Sequence, residues 1–163
     1  MASAKYLQML TGVNAVVPVA DTFATAAESD VIRADNCEAI LFHVLTGAAA
    51  DNTNTVTVEA CDDVTPSNST AIPFMYRKVT TAGTHSAVAS ATTSGVSFTA
   101  STANQYIEIE VDPADVEAAS SHAGRRYVRC VVTEAGNAGA QVGCVYAQRV
   151  EHFAGDQPQS AIV

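Results

Sequence analysis

The stretch Tyr106-Ile107-Glu108-Ile109-Glu110-Val111 alternates apolar and polar residues without a break. In an extended chain successive side chains leave opposite faces, so Ile107, Ile109 and Val111 go one way and Tyr106, Glu108 and Glu110 the other. A helix would scatter the same residues around its axis. The segment predicts a half-buried β-strand, and with it a sheet that has one face on a core.

The same pattern recurs on either side. Residues 55–61 (TVTVEAC) set Val56, Val58 and Ala60 on one face, and residues 95–99 (GVSFT) make a short strand. Residues 38–46 (EAILFHVLT) are almost continuously apolar, as expected of a strand buried on both sides. Residues 72–80 (IPFMYRKVT) read as a strand whose Pro73 places it at an edge or a strand start. Residues 81–93 are mostly Thr, Ala, Ser and Gly, a long loop or weak edge hairpin.

After Val111, Asp112 stands as an N-cap with Pro113 at the first helical position, which predicts one short helix over about 113–120. Its acidic residues Asp115 and Glu117 suit the positive end of that helix, a structural role. Residues 125–133 and 141–150 then read as a final hairpin. Setting Cys130 opposite Cys144 also sets Val128 against Tyr146 and Val132 against Val142, so every apolar residue on that face meets another. Cys130 and Cys144 are therefore expected to be cross-strand neighbours. They are expected reduced, since adjacent-strand geometry strains a disulfide and assembly in the cytoplasm keeps thiols free.

These elements predict an all-β fold: a single-domain antiparallel β-sandwich, jelly-roll-like, with one short helix and extended terminal arms. Residues 1–30 read as an N-terminal arm, residues 31–153 as the sandwich core and residues 154–163 as a C-terminal tail. Gly12, Pro18 and the Thr/Ala run 22–27 deny the first segment a sustained period, although residues 13–19 would serve equally as the first strand of the core. The tail combines Gly155 and Pro158 with an apolar Ile162-Val163. Val16, Val17 and Val19 in the arm and Pro158, Ala161, Ile162 and Val163 in the tail are the candidate partner-binding residues. Deleting residues 157–163 is expected to leave the core folded and to weaken assembly.

Composition narrows the function. The chain has 163 residues, 48 % hydrophobic and only 15 % charged, with a net charge of −9 and no Trp. Charge is scarcer than the ~25 % usual in soluble domains, and Thr, Ser, Asn and Ala cover the surface instead. The acidic balance argues against nucleic acid, which is held by clustered Lys and Arg. No apolar run approaches the ~18 residues of a membrane span, and Thr11, Gly12 and Asn14 interrupt any signal-like segment. The four cysteines are too dispersed for a disulfide scaffold or a C-x-x-C metal site.

Catalytic chemistry finds no support. His43, His85, His122 and His152 lack metal-ligand spacing, and no nucleophile elbow or phosphate-binding loop occurs. Asp51-Asn52-Thr53-Asn54 opens like a calcium loop, but Val56 stands where the turn needs Gly. Asp62-Asp63 and the sequon-like Asn68-Ser69-Thr70 read as polar turns. Glu108 and Glu110 share a strand face, and a solvated surface explains them better than glycoside chemistry. No enzyme activity, cofactor or metal is expected.

One ordered set of motifs resembles a known group. Residues 55–63 form an alternating strand with an acidic turn, followed by Phe74-Met75-Tyr76-Arg77-Lys78 and a Thr/Ala/Ser-rich stretch. Then come Tyr106 to Asp112, Ala114-Asp115, Arg126-Tyr127-Val128-Arg129 and the ending Pro158-Gln159-Ser160-Ala161-Ile162-Val163. The set is similar to small virion structural proteins of tailed bacteriophages, and to capsid decoration (cement) proteins in particular. The resemblance implies a β module on the capsid exterior, assembled in the host cytoplasm. Its implied partners are the major capsid protein and copies of itself, with no nucleic acid or membrane. The rival readings are a tail or head–tail connector protein, or a carbohydrate- or receptor-binding β module whose aromatic patch would draw on Tyr76, Tyr106 and Tyr146.

Overall fold

The computed structural model describes residues 10–47, 53–81, 83–99, 104–119, 125–134 and 140–152. In chain order the elements are β1 (Leu10–Val16), β2 (Ala27–Glu28), β3 (Ile32–Arg33), β4 (Cys37–Thr46) and β5 (Thr53–Cys61). There follow β6 (Ser69–Ile72), β7 (Phe74–Thr81), β8 (Thr84–His85), β9 (Ala89–Ala91), β10 (Val96–Thr99) and β11 (Gln105–Val111). The helix α1 (Pro113–Ala118), β12 (Tyr127–Glu134) and β13 (Gly143–Glu151) complete the set.

Two sheets enclose the core. A seven-stranded sheet runs β1-β13-β4-β11-β7-β8, with β9 also on β7, and a six-stranded sheet runs β10-β5-β12-β2, with β3 on β12 and β6 on β5. Each strand pair is antiparallel. Inward residues from both sheets, among them Ile40, Phe42, Val56, Val58, Ile109 and Val132, are at most 1 % exposed. The Tyr106–Val111 alternation holds, with Ile107, Ile109 and Val111 in the core and Glu110 outside. The all-β sandwich expectation is met.

Most links between consecutive strands cross from one sheet to the other. Thus β1 leads to β2, β4 to β5, β6 to β7 and β12 to β13 across the sandwich. Pro73 lies between β6 and β7, where the chain changes sheet and a missing backbone N–H costs no ladder bond. At the same edge Lys78 turns inward and donates from Nζ to the Ser97 carbonyl at 2.8 Å, tying the two sheets together.

The crossings overturn the expected final hairpin. β12 pairs with β5 and sets Cys130 opposite Val58, while β13 pairs with β4 and sets Cys144 opposite Leu45. Cys130 faces the core, Cys144 faces outward from the other sheet, and all four cysteines are free thiols. They are not neighbours, because matching apolar faces was satisfied across the sandwich rather than within one sheet.

The N-terminal arm is likewise corrected. β1 is an integral strand, registered on β13 from Leu10↔Val150 to Val16↔Val145, with a bulge between Asn14 and Val16. Val13 and Ala15 are buried and Phe23 is wholly so. β2 adds Ala27 and Glu28 to the edge of β12. Residues 10–30 thus belong to the sandwich.

At the end of the sandwich next to Phe23, a buried polar net replaces apolar packing. Asn54 donates to the Gln141 side-chain oxygen at 2.6 Å, and Gln141 donates to the Gly47 carbonyl at 3.0 Å. Thr22 exchanges hydrogen bonds with Gly143, both at 3.0 Å. Asn54, the last residue of the calcium-like stretch, is therefore spent inside the fold; Asp51 and Asn52 lie outside the described residues. At the helix, Asp112 accepts from the Ala114 N–H at 2.8 Å, and Val116 anchors the element at 0 % exposure. Among the described residues no helix is long and apolar enough to cross a membrane.

Candidate docking face

The two outer faces of the sandwich differ in chemistry. On the six-stranded sheet the outward residues of β5 are Thr53, Thr55, Thr57 and Glu59, and β12 adds Arg129 and Thr133. They satisfy one another: Arg129 pairs with Glu59 at 2.8 Å and with Glu28, and the Thr55 hydroxyl meets that of Ser97 at 3.0 Å. Val131, the apolar outward residue there, is covered. Such a face is content in water.

On the seven-stranded sheet the outward residues of β4 are Leu41, His43 and Leu45, where a core strand ordinarily turns polar groups to solvent. Leu45 and Met75 are each 43 % exposed, and Tyr146 is 37 % exposed. Residues 38–46 are thus not buried on both sides as expected. The apolar run supplies a core face through Ile40, Phe42 and Val44, and an outer face through Leu41, partly buried, and Leu45, exposed. Exposed apolar residues gathered on one face among polar groups are the chemistry of an interaction surface.

A hydrogen-bonded row crosses the middle of this face. Arg77 donates to Glu108, and the Tyr106 hydroxyl donates to the other Glu108 oxygen at 2.9 Å. The phenol oxygen then accepts from His43 Nδ1 at 2.6 Å, and His43 Nε2 lies 3.0 Å from the Gln148 side-chain amide. The Tyr106 and Tyr146 rings flank the imidazole, at centroid distances of 5.9 and 6.0 Å. Arg77 first, then Tyr106, hold the Glu108 carboxyl below its ordinary range against the opposing effect of burial. Burial first, then the bond to Glu108, pushes the Tyr106 phenol up to about 12. Each group is locked by its neighbours, so the row acts as a stiff polar seam in an apolar field.

Beside the seam, between β4, β11 and β7, lies a groove of about 250 Å³ lined by Leu41, Met75, Val88, Arg77, Glu108 and Glu110 among others. A larger hollow of about 630 Å³ sits near α1 and is lined by charged groups including Arg33, Asp35, Glu117 and Arg126. Its charges are largely used internally. Arg33 pairs with Asp35, Arg126 reaches Asp35 at 4.0 Å, and Arg149 and Glu151 form a buried pair at 3.3 Å behind it.

The candidate partner-binding residues divide. Val17 and Val19 are exposed at 59 % and 54 %, whereas Val16 is partly buried and packs on the core. Pro158, Ala161, Ile162 and Val163 lie outside the described residues, as does His122. Of the aromatic candidates, Tyr106 and Tyr146 share the outer face, while Tyr76 turns inward against Phe74. The residues missed from sequence are Leu41, Leu45 and Met75. The available signal was the contrast between outward positions in β4 and in β5, apolar in one and Thr-rich in the other.

Among the described residues no group of three or more His, Cys, Asp or Glu could hold a metal ion. The Asp62 carboxylate is filled by donors from Ser67 and Asn68. Side-chain donation by Asn68, above all, holds it far below the usual carboxylate range. That stretch is a self-satisfied turn, with Asn68 committed to it.

No protein-family model matches the chain, and no curated protein or solved structure matches it either.

Proposed function

We propose that the protein is a non-enzymatic structural protein of a tailed-phage virion, a capsid decoration protein that seats across major capsid protein subunits and stabilises the head. The observation that carries this reading is the difference between the two outer faces. One sheet ends in self-paired Thr and charged residues, and the other presents Leu41, Leu45, Met75 and Tyr146 around a locked polar seam. A molecule that worked alone in water would gain nothing by keeping that surface open. The motif resemblance supplies the identity of the partner.

Co-sedimentation with expanded phage capsids, with copies counted per particle, tests the proposal. Hundreds of copies support decoration, and six or twelve point instead to a tail or head–tail connector. No co-sedimentation overturns it. Leu45→Glu is expected to abolish binding while leaving the fold intact, because its side chain already faces solvent. Binding of a glycan at the Tyr106–Tyr146 row would favour the carbohydrate-binding alternative.

A further inference from the structure

Glu110 occupies an unusual place on the docking face. It stands directly opposite Leu41 on one neighbouring strand and Met75 on the other. Directly opposed side chains have Cβ atoms about 4.5–5.5 Å apart, so its carboxylate rises between two apolar walls. Val88, 61 % exposed, also lines the groove. The neighbouring cation, Arg77, is committed to Glu108. Among the described residues no ion pair reaches Glu110.

We infer that this groove is the socket for a Lys or Arg side chain presented by the partner protein. Both side chains carry an apolar stem of three or four methylenes under a cationic head, and they lay such stems along apolar surface while the head seeks an anion. Leu41, Met75 and Val88 offer the surface and Glu110 the anion. Charge complementarity excludes the other common anchors. An acidic side chain would face Glu110 itself, and a purely aliphatic one would cover a carboxylate that no ion pair among the described residues reaches. The net charge of −9 favours approach of a basic surface as well. The inference rests on the docking reading and names the chemistry of the partner.

The test uses the whole chain, isotopically labelled and titrated by NMR with three capped amino acids: N-acetyl-lysine amide, N-acetyl-arginine amide and the neutral N-acetyl-norleucine amide. Saturable shifts of the Leu41, Met75, Val88 and Glu110 amides are expected with the two cationic probes. Glu110→Gln should weaken those probes by up to about fivefold, the upper end of the range for an exposed charge pair, and leave norleucine amide unchanged. Glu117→Gln, an exposed carboxylate on α1 away from the groove, should change nothing. Equal response to all three probes, or equal effects of the two substitutions, overturns the socket. Co-sedimentation with capsids is the separate arm, using wild type and Glu110→Lys. Probe binding without capsid binding keeps the socket and removes the decoration reading. Capsid binding that survives Glu110→Lys removes the socket and keeps the docking face.

Discussion

Cysteine placement shows how much one residue's environment decides. Cys130 is fully buried on the inner face of β12, and desolvation raises its thiol pKa far above the ordinary range. Burial raises Cys61 to about 11 and pushes Cys37 up as well. A buried thiol that stays protonated is neither accessible nor nucleophilic. Cys144, on the outer face of the seven-stranded sheet, is the one of the four that is partly exposed. One thiol per chain is therefore expected to react with a disulfide reagent in the native state, and all four in denaturant. Peptide mapping that finds Cys130 or Cys61 labelled first would contradict the placement. Gly143 is a second residue whose identity is forced. A Cβ there would strike the Phe23 ring and come within 2.8 Å of the Leu45 carbonyl oxygen, and neither can withdraw from a closed core. Gly143→Ala should cost about 1–3 kcal/mol of overpacking, read as a lower urea midpoint at unchanged slope.

At the scale of elements, alternation reported faces faithfully and neighbours poorly. The period of two in residues 106–111 and 55–61 told which side chains enter the core, because a slip by one residue would put every one of them in water. It could not tell whether Cys130 meets Cys144 or Val58, since both partners satisfy an apolar face equally and only the choice of sheet separates them. β1 was legible only as an alternative: residues 13–19 could be read as a first core strand, but the strand runs Leu10–Val16, and Gly12 and the bulge at Asn14/Val16 break the period that would have fixed it. The outer face of the seven-stranded sheet was half legible, in that Tyr106, Glu108 and Glu110 were placed outward correctly. Leu41 and Leu45 were not, because an outward apolar residue in an apolar run looks like a second buried face. The polar seam and turns carry a prediction of their own. Donors hold the carboxyls of Glu108, Asp35 and Asp62 below their ordinary pKa, Arg33 being the main cause at Asp35. A carboxyl with a depressed folded-state pKa favours folding at neutral pH, and that contribution is lost as pH falls through the folded value. Glu134, pushed up by burial and then by Asp21, acts in the opposite sense. Among these four groups three act against one, and the urea midpoint should fall as pH drops below about 4.5, the ordinary glutamate value. Arg77→Gln should shallow that fall by removing the Glu108 share. A midpoint independent of pH between 6 and 3 would contradict it.

For the whole molecule, the decisive question is whether residues 10–30 are an appendage or part of the wall. An appendage could be removed at no cost to the core, and a chain beginning at Val31 would then fold. The observed packing forbids this. Removing the segment strips β13 of its outer neighbour along a register running from Leu10 to Val16. It deletes Phe23, at 0 % exposure, from its place over Gly143, and truncating a buried Phe alone costs about 3–5 kcal/mol. It also takes away Thr22, which closes the polar net with Gly143, and Ser29, whose hydroxyl accepts from the buried Cys130 N–H at 2.9 Å. Leaving that N–H unpaired in the core costs a further ~1–3 kcal/mol. The sum reaches the ~5–15 kcal/mol that holds an ordinary domain together. A chain beginning at Val31 should therefore be unfolded, with collapsed amide dispersion and no cooperative melting transition, whereas Phe23→Leu in the full chain should fold with a lowered midpoint. A well-dispersed spectrum from the shortened chain would return residues 10–30 to the status of an arm and free Val17 and Val19 to act as a partner-binding strand.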